Sequence, residues 1–243
     1  MPGPPDATPL SPVDELVDAV RTRLAASGDP ARAPQMQAYM KSAMPFHGVT
    51  AVPLRRICRE VFAEHRLADR AQWNRAVRTL WDGAAFREER YAAVELTGHR
   101  FYRAHQQVDT IPLYRHLVVT GAWWDHVDAV ASNRVGPILR EHHRDVSPTI
   151  REWAADDDLW VRRTAILCQL GSKDRTDRDL LARAIELNLE GSRFGHEFFI
   201  RKAIGWALRE LAKTDPGWVV DFVGGHRKLA GLSRREALKN LRP

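Results

Sequence analysis

Apolar residues recur along this chain at the spacing of buried helix faces. Ile200, Ile204, Ala207 and Leu211 follow one another at steps of four, three and four residues, which makes one stripe of an α-helix. Runs that alternate apolar and polar residues are few, so strands are not predicted. The pattern predicts an all-α chain of about a dozen helices joined by short loops.

Helix starts are visible where a capping side chain precedes a proline, which suits the first helical turn. These pairs are Ser11-Pro12, Asp29-Pro30, Ser147-Pro148 and Asp215-Pro216. Ser233 and Glu236 have the spacing of a capping box, which predicts a further helix start at Ser233.

Three helical segments share a plan in which a charged entry is followed by apolar residues. They begin at Arg90, Arg163 and Lys202, and the starts are 73 and 39 residues apart. The second spacing is near the period of about 40 residues of paired-helix repeats, and the first is close to twice it. The spacing favours an α-solenoid, whose concave face suits a rod-shaped ligand. We expect one domain over residues 13–243, after a disordered proline-rich arm over residues 1–12.

Composition restricts the possible binding partners only slightly. The formal net charge of the 243 residues is +6, which would attract a polyanion such as nucleic acid, although it also serves solubility. Cys58 and Cys168 fall in apolar helical patterns and are expected in the core. No signal peptide or membrane-spanning run is visible, which predicts a cytoplasmic protein. His142-His143 lacks metal-ligand spacing, and we expect neither a metal nor a cofactor.

The segment from Trp123 to Asp128 carries the clearest chemistry. On a helix, Trp124 and Asp128 stand on one face, and an indole face and a carboxylate both stabilise a nearby positive charge. Trp123 belongs with Val127 and Val130 in a core stripe and is expected to be structural. The alternative interpretation is that Asp128 is an ordinary solvated acid without a specific function. Asp125 is expected to be a first-turn acid favoured by the helix dipole.

Trp206 lies nearly opposite the buried stripe of its helix, on a face that also carries Phe199, Lys202 and Arg209. An indole placed between two cations suggests a function, and the alternative is that it fills a groove against a neighbouring repeat. The segment from Leu159 to Leu170 is apolar almost all round, which predicts a central, enclosed helix, and Arg162 and Arg163 are its only charges. A DNA phosphate or an acid on the next repeat would serve as a partner, and periodicity does not choose between the two arginines.

Several ordered motifs resemble the DNA alkylation repair glycosylases of the AlkD type, from about Ala31 to Leu241. They are the segments 39–41, 46–56, 123–128, 160–167, 198–206 and 232–237. The resemblance implies a superhelix of HEAT-like helix pairs whose concave basic face holds duplex DNA. The loop between Gly48 and Pro53 is about one residue longer than the family pattern. The resemblance also implies excision of bases alkylated at ring nitrogens, chiefly N3- and N7-alkylpurines, in base excision repair.

Carried over by position, the resemblance implies catalytic Trp124, Asp128 and Trp206, with Arg163 near the DNA backbone. Cationic alkylpurines leave without protonation, and the two indoles and the carboxylate would stabilise the oxocarbenium-like sugar. The lesion is expected to stay stacked. Arg163, Lys202, Arg209, Arg234 and Arg235 are expected to bind phosphates of double-stranded DNA.

We expect a monofunctional glycosylase that acts as a monomer. Two alternatives remain at this stage. One is a HEAT-like protein that binds damaged or branched DNA without excision. The other is a scaffold that binds an acidic protein.

Overall fold

A computed structural model describes residues 10–241 of the chain, and this part contains α-helices and no strand. Two compact units divide the chain, Met1–His105 and Gln106–Pro243. The helices of the first unit are α1 (Pro12–Ala26), α2 (Ala33–Met40), α3 (Ala51–Glu64), α4 (Arg70–Asp82) and α5 (Arg87–Thr97). Those of the second are α6 (Ile111–Gly121), α7 (Trp124–Val130), α8 (Gly136–Glu141), α9 (His143–Trp153), α10 (Leu159–Leu167), α11 (Arg178–Glu186), α12 (Phe198–Leu211), α13 (Pro216–Gly225) and α14 (Gly231–Ala237).

Short 3-10 helices at Arg100–His105, Val108–Thr110 and Lys173–Arg175 and a π-helical turn at Ala131–Val135 complete the description. Consecutive helices pack against each other as pairs, namely α4 with α5, α6 with α7, α8 with α9 and α10 with α11. The predicted all-α class with HEAT-like helix pairs is therefore confirmed. The predicted single domain over residues 13–243 stays a prediction.

In the first unit, α5 packs against α1, α3 and α4. Its buried Glu88 accepts hydrogen bonds from the backbone N–H groups of His47, Gly48 and Val49 at 3.0, 2.9 and 3.0 Å. Gly48 has a φ of +89°, and a Cβ there would lie 2.2 Å from the Asp29 carbonyl oxygen, so this turn requires glycine. A buried carboxylate thus fixes the loop that leads into α3.

In the second unit, α10 is the central helix, and it contacts α6, α7, α9, α11 and α12. All its residues from Val161 to Leu167 are buried, which confirms the prediction of an enclosed helix. The predicted stripe on α12 is confirmed as well, because all four of its apolar residues are buried. Helix α12 also packs closely on α14.

The capping predictions are partly confirmed. Ser11 accepts the Asp14 N–H at 3.3 Å and Asp215 accepts the Trp218 N–H at 3.2 Å, each at a helix start followed by proline. Asp29 accepts the N–H groups of residues 31 and 32, but α2 begins only at Ala33. The predicted start at Ser147 is wrong, since Pro148 lies inside α9. Burial of Val146 together with Ile150 and Trp153 extends that helix back to His143.

The predicted start at Ser233 is wrong too. Helix α14 begins at Gly231, and the buried Ser233 hydroxyl donates to the Arg201 carbonyl at 2.8 Å instead of capping its own helix. The predicted arm over residues 1–12 lies mostly outside the described residues, and Pro12 at its end begins α1. Cys58 and Cys168 are buried and unpaired, as predicted. Among the described helices, none has the length and apolar character needed to cross a bilayer.

Candidate active site

The candidate site is built around a bidentate pair between α7 and α10. Asp128 stands one turn after Trp124 on α7, and both side chains are partly buried. Arg163, on α10, donates from Nε to Oδ1 at 2.8 Å and from Nη2 to Oδ2 at 2.9 Å of the Asp128 carboxylate. Its Nη1 donates to the Phe199 carbonyl oxygen of α12. One guanidinium therefore joins three helices.

The electrostatics of Asp128 are a balance between burial and pairing. Its side chain is 15% exposed and that of Arg163 is 5% exposed. Burial raises the pKa of the Asp128 carboxyl above its ordinary value, the hydrogen bonds and charge of Arg163 lower it, and the charge of Asp125 raises it further. The guanidinium thus favours the ionised carboxylate in a place where burial disfavours it.

A cluster of three aromatic rings adjoins this pair through Phe199. The Trp123 ring lies 5.4 Å from Phe199 and 6.0 Å from Trp160, and Trp160 lies 5.0 Å from Phe199, measured between centroids. The guanidinium carbon of Arg163 is 5.9 Å from the Phe199 centroid. Trp123 has an extended backbone just before α7, so it is packed as predicted but is not part of the helical stripe. The packing roles of Trp160 and Phe199 were not predicted.

Trp206 sits on the partly exposed face of α12, two turns after Phe199. Lys202 and Arg209 flank it, and both bind Glu236 of α14, with Lys202 Nζ 3.0 Å from Oε1. Helix α12 connects Trp206 to Asp128 indirectly, because Arg163 pairs with Asp128 and also donates to the Phe199 carbonyl of α12. In the part of the chain that the structure describes, Trp206 and Trp124 make no ring contact with each other. The predicted catalytic roles of Trp124, Asp128 and Trp206 stay predictions.

Residues 20–241 match the sequence pattern of a family described as DNA alkylation repair enzyme. The chain belongs to this DNA alkylation repair enzyme family. Its structure is similar to that of a "predicted DNA alkylation repair enzyme" from Enterococcus faecalis, with 30% sequence identity and a TM-score of 0.78, covering 88% of this chain and 97% of that one.

A second similar structure belongs to AlkD2 from Streptococcus mutans, with 18% identity and a TM-score of 0.59. It covers 85% of this chain and 98% of that one, and at this identity it shows a shared fold. No protein among the curated ones matches the chain.

In this member of the DNA alkylation repair enzyme family, most of the cations expected to bind phosphates form ion pairs or hydrogen bonds with other residues of the protein. Arg163 has an acidic partner, which is one of the two possibilities that its sequence left open. Arg162 instead donates to carbonyl oxygens, among them Ala155 at 3.0 Å and Leu187 at 3.3 Å.

The C-terminal pair of arginines is divided between two environments. Arg234 donates to the carbonyl oxygens of Val223 at 2.6 Å, Leu229 at 3.1 Å and His226, close to the end of α13. Arg235 is exposed. The phosphate contacts of all five cations stay predictions.

Glu236 contacts two of the candidate site residues, and sequence reasoning did not predict these contacts. Its spacing from Ser233 suggested a capping box, whereas its carboxylate pairs with Lys202 and Arg209 across the contact of α12 with α14. These two cations hold the pKa of Glu236 below its ordinary value. No local signal predicts this arrangement, because it depends on two helices meeting in the fold.

Proposed function

We propose that this chain is a monofunctional DNA glycosylase that excises cationic N3- and N7-alkylpurines, such as 3-methyladenine and 7-methylguanine, from duplex DNA. The observation that carries the proposal is the Asp128 carboxylate, partly buried and held through both oxygens by Arg163. Arg163 keeps this carboxylate ionised and oriented in a place of low dielectric, where it would stabilise a cation that forms directly beside it.

The chemistry follows from the charge of the substrate. An N3- or N7-alkylpurine is already cationic, so the base leaves as a neutral molecule and takes the electron pair of the glycosidic bond. Positive charge then develops on the deoxyribose, as in other glycosidic cleavages. Asp128 would stabilise this charge and orient the attacking water. Arg163 would fix the orientation of the carboxylate, and it does not itself need to touch the sugar.

Trp124 and Trp206 would act as electron-rich surfaces for the same charge. Each cation–π contact contributes about 0.5–2 kcal/mol, with the higher value in places shielded from water. Both indoles are partly exposed, so they are accessible to a strand of DNA. Such contacts reach the sugar from the backbone side and do not require the base to leave the stack. We therefore propose that the lesion stays stacked and that one copy of the chain acts alone.

The test is excision from a duplex oligonucleotide with a single 7-methylguanine, followed by alkaline cleavage of abasic sites. We expect strand cleavage by the wild type. We expect Asp128→Asn to be slower by about 10²–10³-fold, as when one electrostatic stabiliser is removed elsewhere, while DNA affinity is largely kept. Asp221→Asn is the matched control, because Asp221 is an exposed acid on α13. Thermal melting checks that both variants are folded.

The outcomes separate this proposal from its alternatives. Equal excision by Asp128→Asn and Asp221→Asn would remove Asp128 from the mechanism. Tight binding of the damaged duplex without excision by the wild type would favour a protein that recognises damaged or branched DNA. Binding that an acidic protein displaces and DNA does not would favour a scaffold.

A further inference from the structure

The first unit contains a cationic cavity that the proposed glycosylase chemistry does not use. Its volume is about 450 Å³, and it lies between the later part of α3 and the segment that follows α5. This volume is within the range of small-molecule sites, about 300–1,000 Å³. Arg55, Arg59 and Arg100 line it and are exposed, so the cavity opens to solvent.

The charge of the cavity is positive. Glu95 is the acid in its lining, and it accepts a hydrogen bond from Arg55 Nε at 3.2 Å. Arg59 and Arg100 have no acidic partner within the described residues. The charges of Arg100 and Arg66, after burial, lower the pKa of His99. An anion placed in this cavity would therefore meet two guanidinium groups whose charge no carboxylate of the described residues neutralises, although that of Arg100 also lies 5.1 Å from the Phe101 centroid.

The inner wall is aromatic and has one unused polar atom. The His99 ring meets Phe62 edge-on at 5.4 Å and Phe101 at 4.6 Å. Nδ1 of His99 is buried and has no hydrogen-bond partner among residues 10–241. The buried thiol of Cys58 also faces the cavity, but burial raises its pKa, so it is not a nucleophile. The cavity is suited to binding rather than to covalent chemistry.

We infer that this cavity binds a nucleotide, with its phosphate between Arg59 and Arg100 and its base against the partly exposed Phe101 and His99. Guanidinium groups bind phosphate oxygens in pairs, and an aromatic wall accepts any base face. The nucleotide is one free in solution, since binding of a DNA strand already belongs to the proposed function.

Isothermal titration with dGMP, deoxyguanosine, inorganic phosphate and an unmodified 12-base-pair duplex tests this inference. We expect dGMP to bind the wild type. Arg59→Gln and Arg100→Gln should each weaken that binding about tenfold, since each removes a hydrogen bond to a charged group. Arg56→Gln is the matched control, because Arg56 is an exposed arginine on α3 that does not line the cavity.

Glu95→Gln should change the affinity for the phosphate-bearing probe in the direction opposite to the two arginine variants. Removing the only acid of the lining should strengthen binding of the phosphate-bearing probe, which a loss of structure would not do. Weaker dGMP binding in the arginine variants, with deoxyguanosine not bound, identifies a free nucleotide as the ligand. Weaker duplex binding without dGMP binding would assign these arginines to the DNA contact of the proposed function and would overturn the inference. If Arg59→Gln, Arg100→Gln and Arg56→Gln all bind every probe equally, the inference is overturned. None of these measurements depends on excision.

Discussion

At the scale of single residues, the pair of Asp128 with Arg163 is the feature that sequence spacing could not provide. The two residues are 35 positions apart and lie on different helices. The sequence showed that Asp128 shares a face with Trp124 and that Arg163 needs a partner, because both statements depend on local helix geometry. Only the tertiary structure shows that Asp128 and Arg163 pair with each other. It also means that Asp128 presents DNA with a compensated charge rather than a bare negative one.

The balance at Asp128 predicts how excision should depend on pH. If the ionised carboxylate is required, the rate of 7-methylguanine excision falls as the pH falls through the raised pKa of Asp128. Asp125→Asn removes a charge that raises this pKa and should move the acidic limb to lower pH. Arg163→Gln removes the group that lowers this pKa and should move the limb to higher pH. Single-turnover rates across pH, with the spontaneous loss of the base subtracted, measure both shifts.

The two variants are controls for each other because the expected shifts have opposite signs. Arg163→Gln also leaves the Asp128 carboxylate without its partner, which should lower the free energy of unfolding by about 3–5 kcal/mol. Asp125→Asn should change stability much less. A limb that moves in the same direction in both variants would show that the group responsible for the pH dependence is not Asp128.

At the scale of helices, periodicity predicted the existence of elements better than their ends. The α12 stripe and the enclosed α10 are set by many apolar residues, so tertiary contacts reinforce the local signal. The predicted starts at Ser147 and Ser233 depended on short capping patterns, and burial outweighed them. In α9 the buried apolar residues Val146, Ile150 and Trp153 lie on both sides of Pro148, so the helix extends past the proline. In α14 the Ser233 hydroxyl satisfies a carbonyl of α12 instead of an N–H of its own helix.

The close approach of α12 and α14 predicts an unusual response to a glycine substitution. Gly→Ala inside a helix ordinarily adds about 0.5–1 kcal/mol of stability. At Gly205, however, a Cβ would lie 2.5 Å from the Glu236 Cβ and 3.2 Å from the Ser233 carbonyl oxygen. Gly205→Ala should therefore force α14 away and lower the free energy of unfolding by about 1–3 kcal/mol.

Gly224→Ala is the control for this prediction, since it lies on α13 with no atom within 4 Å of its added Cβ. Urea unfolding of the two variants and the wild type should give changes of opposite sign, with Gly224→Ala neutral or stabilising. If Gly205→Ala is as stable as Gly224→Ala, the contact of α12 with α14 is looser than these distances indicate.

At the scale of the whole molecule, net charge does not show how many cations are available to bind DNA. The formal charge of +6 suggested a polyanionic partner, and the family match is consistent with that prediction. In the second unit, however, Arg163 and Arg234 donate to groups of the protein, and Lys202 and Arg209 share one carboxylate. Composition could not reveal this, because it counts charges without their partners. The salt dependence of DNA binding should therefore be smaller than five free cations would give.

The neighbours Arg234 and Arg235 test this distinction, since they have the same chemistry and different surroundings. Arg235 is exposed, so Arg235→Gln should reduce the magnitude of the slope of log K against log salt concentration by about 0.9 and leave thermal stability unchanged. Arg234 binds carbonyl oxygens at the end of α13, so Arg234→Gln should lower the free energy of unfolding by about 2–3 kcal/mol. The slope should change little in that variant, because the guanidinium has partners within the protein. Fluorescence anisotropy with an unmodified duplex at several salt concentrations gives the slopes, and calorimetry gives the stabilities. If the two variants exchange these effects, it is Arg234 that meets the phosphates, and the DNA-bound chain must release the end of α13.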